Sequence, residues 1–452
     1  MNRMLLNGAA LLLLNAGIAH ADNHLMVAPG EGKFDWESYE TFASDHDYSG
    51  EQVTIFGPWL AGEADAFSNL VEYFNEATGA NAIYTGSDAL EQQILIDAEA
   101  GSAPNITVFP QPGLAANMAS RGFLTPLPDG TADWVKENFA AGQSWVDLGT
   151  YANAEGEDEF YGFIFNANVK SLVWYVPENF EDFGYEVPET MEDFKALMDQ
   201  MVADGETPLC VGLGSGGATG WPATDWVEDL MLRNHPPEVY DAWVTNEMPF
   251  DDPKVIEVIE EYGSFTRNDD YVAGNANDTA AIDFRDSPKG LFDSPPQCMM
   301  HRQASFIPAY FPEGTVLGED ADFFYFPAYS EKDLGTPVLG AGTLFAITKD
   351  SEATEGFIEF LKTPFAHEIM MAQDGFLTPF KGADTANYAN DTQRGQGEIL
   401  TSATTFRFDG SDLMPGGVGA GTFWTGMVDY SSGNKDAATV ASEIQNSWDR
   451  LK

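Results

Sequence analysis

Residues 53–86 read VTIFGPWLAGEADAFSNLVEYFNEATGANAIYTG, and the order of their apolar residues decides the fold. VTIFG (53–57) is a short apolar run closed by a glycine, as a buried strand should be. Phe67, Leu70, Val71 and Phe74 then fall at the i, i+3, i+4, i+7 spacing of one helix face. NAIYTG (81–86) returns to strand. A strand, a helix and a second strand of these lengths predict a βαβ unit with parallel strands. The pattern continues: Asp88 with Glu91 three residues on predicts a capping box for ALEQQILIDAEAG (89–101). ITVFP (106–110) reads as a third strand and GLAANMASRG (113–122) as a further helix. Ligands of such sheets sit beyond the carboxyl ends of the strands. Those ends here are GPW (57–59), TGSD (85–88) and PQPG (110–113), all turn-like and polar or aromatic.

At 452 residues the chain is too long for one ordinary core, so two or more domains are expected. Apolar residues make up 44% and charged residues 21%, a globular and not a disordered composition. Residues 1–21 combine Arg3, an apolar run and Ala19-His20-Ala21, the layout of a secretory signal peptide. The run is short for a membrane span and is interrupted by Asn7 and Asn15. No cysteine follows it, so a lipoprotein is not indicated. The net charge is −51, spread along the chain. Nucleic acid and anionic membrane need positive partners and are excluded on that ground. Cys210 and Cys298 are the two cysteines; in an exported chain they can form one disulfide or stay two buried thiols.

Residues 22–50 are polar and acidic and read as a loose N-terminal arm. DHDYSG (45–50) begins like a calcium loop, but its twelfth position is Phe56 and not Glu, so it reads as solvated loop. VLGAGTLFAITKD (338–350) is strand-like, and EATEGFIEFLKT (352–363) helical. Val440, Ile444, Trp448 and Leu451 share one face of a docked terminal helix.

Little here resembles a catalytic centre. GLGSGG carries G-x-G-x-x-G at Gly212, Gly214 and Gly217, yet runs into TGWP (219–222) instead of opening a helix in the first βαβ unit. Its glycines suit a sharp turn and close backbone approach better than a dinucleotide, and no cofactor is expected. Asp225, Glu228 and Asp229 lie at i, i+3, i+4 in PATDWVEDLMLR (222–233). Paired carboxylates can hydrolyse glycosides, but they must flank one bond. On one helical turn they read more simply as a solvated face, with Asp225 capping the helix. The histidines show no metal spacing and no G-x-S-x-G elbow is present, so no metal site is expected.

The aromatics remain. Trp59, Trp174, Trp221, Trp226 and Trp424 lie in or beside Gly/Pro-rich turns. Each alone reads as a core residue; as a group they suit the apolar face of a pyranose. Asp88, Gln111, Asn166, Asp225, Arg302, Gln303, Arg407 and Asp412 could bind its hydroxyls.

VTIFGPW, TGSDALEQQI, ITVFPQPG, FYGFIFNANVKSLVWYVP, ATGWPATDWVEDLMLR, CMMHRQASF, VLGAGTLFAITKD, FRFDGSDLMP and GAGTFWTGMVDYSSG together resemble a known family. The chain is similar to the extracellular solute-binding proteins of ABC sugar importers, in their α-glucoside-binding branch, over about residues 50–452. The resemblance implies an α/β, type II periplasmic-binding fold with two lobes, each a mostly parallel sheet flanked by helices, and a ligand cleft between them. YGFIFNANV (161–169) and VLGAGTLFA (338–346) match its crossing strands, which implies one lobe from 51–164 and 336–384 and the other from 165–335 and 385–452. It implies a monomeric periplasmic protein, not an enzyme, whose lobes close on a sugar and present it to membrane permease subunits. Carried over residue by residue, it places Trp59, Ser87, Asp88 and Gln111 in the loops after the first three strands. Asn166, Gly342 and Thr343 belong to the crossing strands, Trp221 and Asp225 to the tryptophan-proline segment, and Arg302 and Gln303 to a cleft segment of the second lobe. Arg407 and Asp412 lie in the RFD-x-SD stretch, and Trp424 at a stacking position. Thr343 departs from the acidic residue that follows GAG in many α-glucoside binders. Two other readings stand beside the neutral α-glucoside: a secreted glycoside hydrolase or lyase using a carboxylate pair, and a binding protein for a polyol or osmolyte glycoside.

Overall fold

The computed structural model describes residues 25–139, 142–373 and 376–451; the signal peptide read at 1–21 lies outside them. Gln52–Gly57 pairs in parallel with Asn81–Gly86 on one side and with Ile106–Phe109 on the other, as the βαβ pattern predicts. Ile106–Phe109 is buried at every position, as a strand covered on both faces must be. Between the first two strands, the helix Ala61–Thr78 buries Phe67, Leu70, Val71 and Phe74. It ends on Gly79, whose φ of 70° lets the amide turn back to the Asn75 carbonyl.

The predicted capping box does not form. The helix Leu90–Ala100 starts from Ala89 with no side-chain cap. Ser87 Oγ accepts from the Ala89 amide at 3.1 Å, which frees Asp88 to face a cleft. The acidic arm is also more ordered than its composition suggests. Trp36–Asp45 is a helix capped by Asp35, with Tyr39 and Phe42 buried against Phe365 and Phe360. Aromatics three residues apart give it an apolar face that the surrounding acid obscured. Asp47 and Ser49, in the failed calcium motif, are exposed loop.

The long strand Pro337–Ile347 completes this sheet. It runs antiparallel to Ile106–Phe109 and to Phe163–Val169, and parallel to Thr405–Phe408. Phe163–Val169 and Pro337–Ile347 pass between cores. Phe163 to Ala167 pack in the first core, whereas Val169 joins a different one; likewise Leu344 to Ile347 belong to the first core and Leu339 to the second. The second half departs from the expected parallel sheet. Its three strands, Met300–Arg302, Leu172–Tyr175 and Asp322–Tyr325, all pair antiparallel, and most of its core is helical. Trp221–Asn234, Pro253–Thr266 and the terminal Ala437–Asp449 supply Trp226, Tyr262 and Trp448 to it. Leu451 falls beyond the terminal helix and is exposed. Cys210 and Cys298 form a buried disulfide across Cα atoms 5.4 Å apart, tying the segment before the glycine turn to the edge of the small sheet.

Candidate ligand cleft

A cleft with about 130 Å³ of free volume lies at the carboxyl ends of the first sheet, far more than one water requires. Trp59, Ser87, Asp88 and Gln111 line it from the three predicted strand ends. Lys170, just past the first crossing strand, and Gly342 and Thr343 of the second add to it, as do Ser215, Trp221, Phe284, Arg285, Asp409, Asp412 and Trp424.

Two glycines make this closeness feasible. Gly216 has φ of +55°, and a side chain there would run into the Asp88 carboxylate. Gly220 has φ of +115° and would strike the Trp424 carbonyl. Only glycine adopts such angles at no steric cost. Gly220 also ends the turn, so Trp221 opens a helix with Pro222 in its first turn, and does not sit in a loop. Trp221 is half-buried, its ring centroid 4.9 Å from that of Phe284 and 6.0 Å from that of Phe306. Trp59 is buried beside Phe67 and Phe376. Trp424 is buried as well, and its indole Nε1 has no partner among the described residues. Trp174 and Trp226 are core residues.

Beneath the cleft lies a buried charge network that decides where the other candidate residues go. The Lys170 ammonium donates to Asp225 Oδ1 at 2.8 Å and to Asp409 Oδ2, all three groups being buried. Glu228 accepts from the Gly410 and Ser411 amides at 2.8 and 2.9 Å. Carboxylate oxygens of Asp225, Glu228 and Asp409 come within 4.8 Å of one another. Burial alone would lower the Lys170 pKa, but Asp225 and Asp409 outweigh it and raise it. Two carboxylates share that ammonium in a dry site. Burial raises Asp225, whereas Lys170, against the burial, holds Asp409 well below the usual range. Asp409 is the better hydrogen-bonded of the two: Ser411 Oγ and the Asp412 amide also donate to it, at 2.9 and 3.1 Å. Burial pushes Glu228 and Asp412 well above it. Asp229 is held separately by Arg233, by Arg302 at 2.6 Å and by Ser171 Oγ at 2.8 Å.

The expected solvated face at 225–229 is therefore fully buried, and Asp225 is neither a helix cap nor a cleft wall. Arg302 serves Asp229 and stacks over Trp226, its guanidinium carbon 5.5 Å from the ring centroid. Gln303 is buried and accepts from the Ala304 amide at 2.9 Å. Asn166 is buried beside Thr343, whose hydroxyl donates to it. Arg407 lies on the outer surface in a bidentate pair with Asp241, at 2.6 and 2.8 Å. These four lie off the cleft wall.

Sequence reasoning missed Lys170, Asp409, Glu63 and Arg285, all of which line the cleft. One signal was available for Lys170. The chain has only 21 cations, and this one interrupts the apolar stretch NVKSLVWY (168–175). A charge there has to be paired. On the sheet side, Glu63 takes the phenol hydroxyl of Tyr310, and burial raises its pKa to about 7. Gln111 donates to Glu91 at 3.0 Å, but its Oε1 has no partner among the described residues. Among the described residues, the cleft thus carries donors without partners (Trp424 Nε1, Arg285 Nε) and an acceptor without one (Gln111 Oε1). Buried polar atoms are normally paired, so a bound molecule able both to donate and to accept would complete them.

Comparison with known proteins agrees with this architecture. The sequence profile of the bacterial extracellular solute-binding proteins matches residues 60–368. The alpha-glucosides-binding periplasmic protein AglE of Rhizobium meliloti is 58% identical over the full length of both chains. The osmoprotective compounds-binding protein GgtB of Synechocystis is 39% identical over 89% of this chain and 94% of its own. Among solved structures, the solute receptor AcbH superposes with a TM-score of 0.77 at 20% identity, covering 89% of this chain and all of that one. Maltose-bound MalE3 of T. maritima gives 0.68 at 12%, with the same coverage. At these identities the two structures speak for the fold alone.

Proposed function

Because the chain belongs to the bacterial extracellular solute-binding proteins, we propose that it is the substrate-binding component of an ABC importer for a neutral α-glucoside such as trehalose, maltose or sucrose. It works in the periplasm as a monomer, closes on the sugar and hands it intact to the permease. The observation that carries this reading is the cleft itself: half-buried and buried indoles beside buried polar atoms that lack partners in both donor and acceptor roles. A sugar offers CH faces to the first and hydroxyls, which donate and accept, to the second. The full-length relative named for α-glucosides supports the choice of ligand. The relative named for osmoprotective compounds favours a second reading, an osmolyte glycoside in the same cleft. A hydrolase acting through Asp225, Glu228 or Asp229 draws no support, since these carboxylates are locked in ion pairs and backbone hydrogen bonds beneath the wall.

The site is tested by titrating Trp221→Ala with the sugar that binds the unmodified chain. Loss of the aromatic contact should weaken binding by about 1–3 kcal/mol. A folded variant with unchanged affinity would remove Trp221 from the site.

A further inference from the structure

Lys170 follows directly on the crossing strand Phe163–Val169, and its amide donates to the Leu339 carbonyl at 2.8 Å. Its backbone is thus fixed by the strand pair that joins the two halves. An ammonium has three N–H donors. Asp225 and Asp409 take two of them; the third has no partner among the described residues, and the side chain lines the cleft at 6% exposure. Trp221 stands over the same group, with Nζ 5.3 Å from its ring centroid. This holds the lysine against the indole that forms one cleft wall.

The charge around Lys170 says what it can bind. A lone buried ammonium would attract an anion. This one is already matched: Asp409, held ionised, sits against it, with the carboxyls of Asp225, Asp412 and Glu228 around the pair. Glu63, Asp88 and Glu91 add further carboxyls to the cleft, where Arg285 is the other cation among the described lining residues. A carboxylated or phosphorylated sugar would find no free positive charge at Lys170, whereas a neutral hydroxyl needs none. Asp412 is the natural counterpart. It lines the cleft, lies within electrostatic reach of Lys170, and its carboxyl accepts no hydrogen bond given by the described residues.

Resting on the reading of the cleft as a sugar site, we infer that Lys170 and Asp412 are the pair that selects the ligand's hydroxyl pattern: Lys170 donates its remaining N–H to one hydroxyl, and Asp412 engages a second. The hydroxyl-binding lysine is therefore a specificity residue with its charge already cancelled, which makes the site selective for uncharged glycosides.

The test is a cycle of binding constants. Maltose, sucrose and trehalose are titrated calorimetrically into the unmodified chain, followed by every monodeoxy analogue of the one that binds most tightly. The same series is run on Lys170→Met and on Asp412→Asn. Lys170→Met leaves two buried aspartates unpaired, so a companion carrying Asp225→Asn and Asp409→Asn as well removes those charges. The expected result is one analogue that binds the unmodified chain at least tenfold more weakly than its parent, with the difference gone in the lysine variant. A second analogue should behave likewise for Asp412→Asn. Folded variants that keep every analogue's loss overturn the inference and leave the sugar site standing. If neither lysine variant unfolds cooperatively, Asp412→Asn decides alone, since it leaves the lysine pairing intact. If none of the three sugars binds the unmodified chain, the α-glucoside reading falls and this inference with it.

Discussion

Asp229→Ala should cost the fold about 3–5 kcal/mol. Asp229 is completely buried, and its two oxygens hold Arg233, Arg302 and Ser171 Oγ. Arg233 is itself fully buried and also donates to the Phe326 and Pro327 carbonyls. Removing the carboxylate strands two guanidinium groups with no solvent to receive them. Water solvates a surface pair, so losing one is cheap. Arg407→Ala, which breaks the exposed pair with Asp241, should therefore cost no more than about 1 kcal/mol. Urea unfolding at fixed salt measures both. An Asp229→Ala loss no larger than that of Arg407→Ala would mean that the buried network does not hold the second half together.

The second large effect is on pH dependence. Glu63 sits at the start of the helix Ala61–Thr78 in the first half, and Tyr310 reaches it from the second. The Tyr310 oxygen lies within reach of both Glu63 Oε2 and the Leu60 carbonyl, the latter at 3.3 Å. One phenol proton cannot serve two acceptors fully. A protonated Glu63 resolves this, donating to the phenol oxygen while Tyr310 donates to Leu60. The charged or titratable groups facing Glu63 are Tyr310, Arg285 and Tyr84. Burial outweighs the Tyr310 hydrogen bond and the Arg285 charge, raising the pKa from 4.5 to about 7.

Opening the cleft would return Glu63 to water and to its ordinary value. Closure then takes up a proton, and the closed form gains as pH falls from 7 towards 4.5. The full window is worth about 3 kcal/mol. Sugar affinity should rise roughly 30-fold from pH 8.5 to pH 5.5. Burial raises Glu91 and Asp412 too, so they act in the same direction. Glu63→Gln should flatten much of the rise. A flat profile in the unmodified chain, or an unaltered one in the variant, would show that Glu63 is not buried on closure.

The first βαβ units were legible because local period and turn chemistry agree there. Phe67, Leu70, Val71 and Phe74 can serve no other pattern, and the glycine-closed strand ends put Trp59, Ser87, Asp88 and Gln111 on the cleft as expected. What the sequence hid was long-range pairing. Asp225, Glu228 and Asp229 look like a wet helical face until Lys170, Arg302 and the amides of 410 and 411 arrive from distant parts of the chain. The same holds for Arg302 and Gln303, whose polarity serves the core. Arg407 stands in a stretch that reaches the cleft, but its own side chain points to Asp241. The acidic composition hid the aromatic face at Trp36, Tyr39 and Phe42 for a different reason: average polarity masks a narrow stripe.

Capture of a glucoside without chemistry is met most directly by one measurement. Maltose, sucrose, trehalose, glucosylglycerol and glucose are titrated calorimetrically into the chain from residue 22 onward, at high salt, and the mixtures are then chromatographed. Saturable heat with a glucoside, and recovery of that glucoside unchanged, are expected. Silence across the panel, or the appearance of a cleaved sugar, would contradict capture without chemistry.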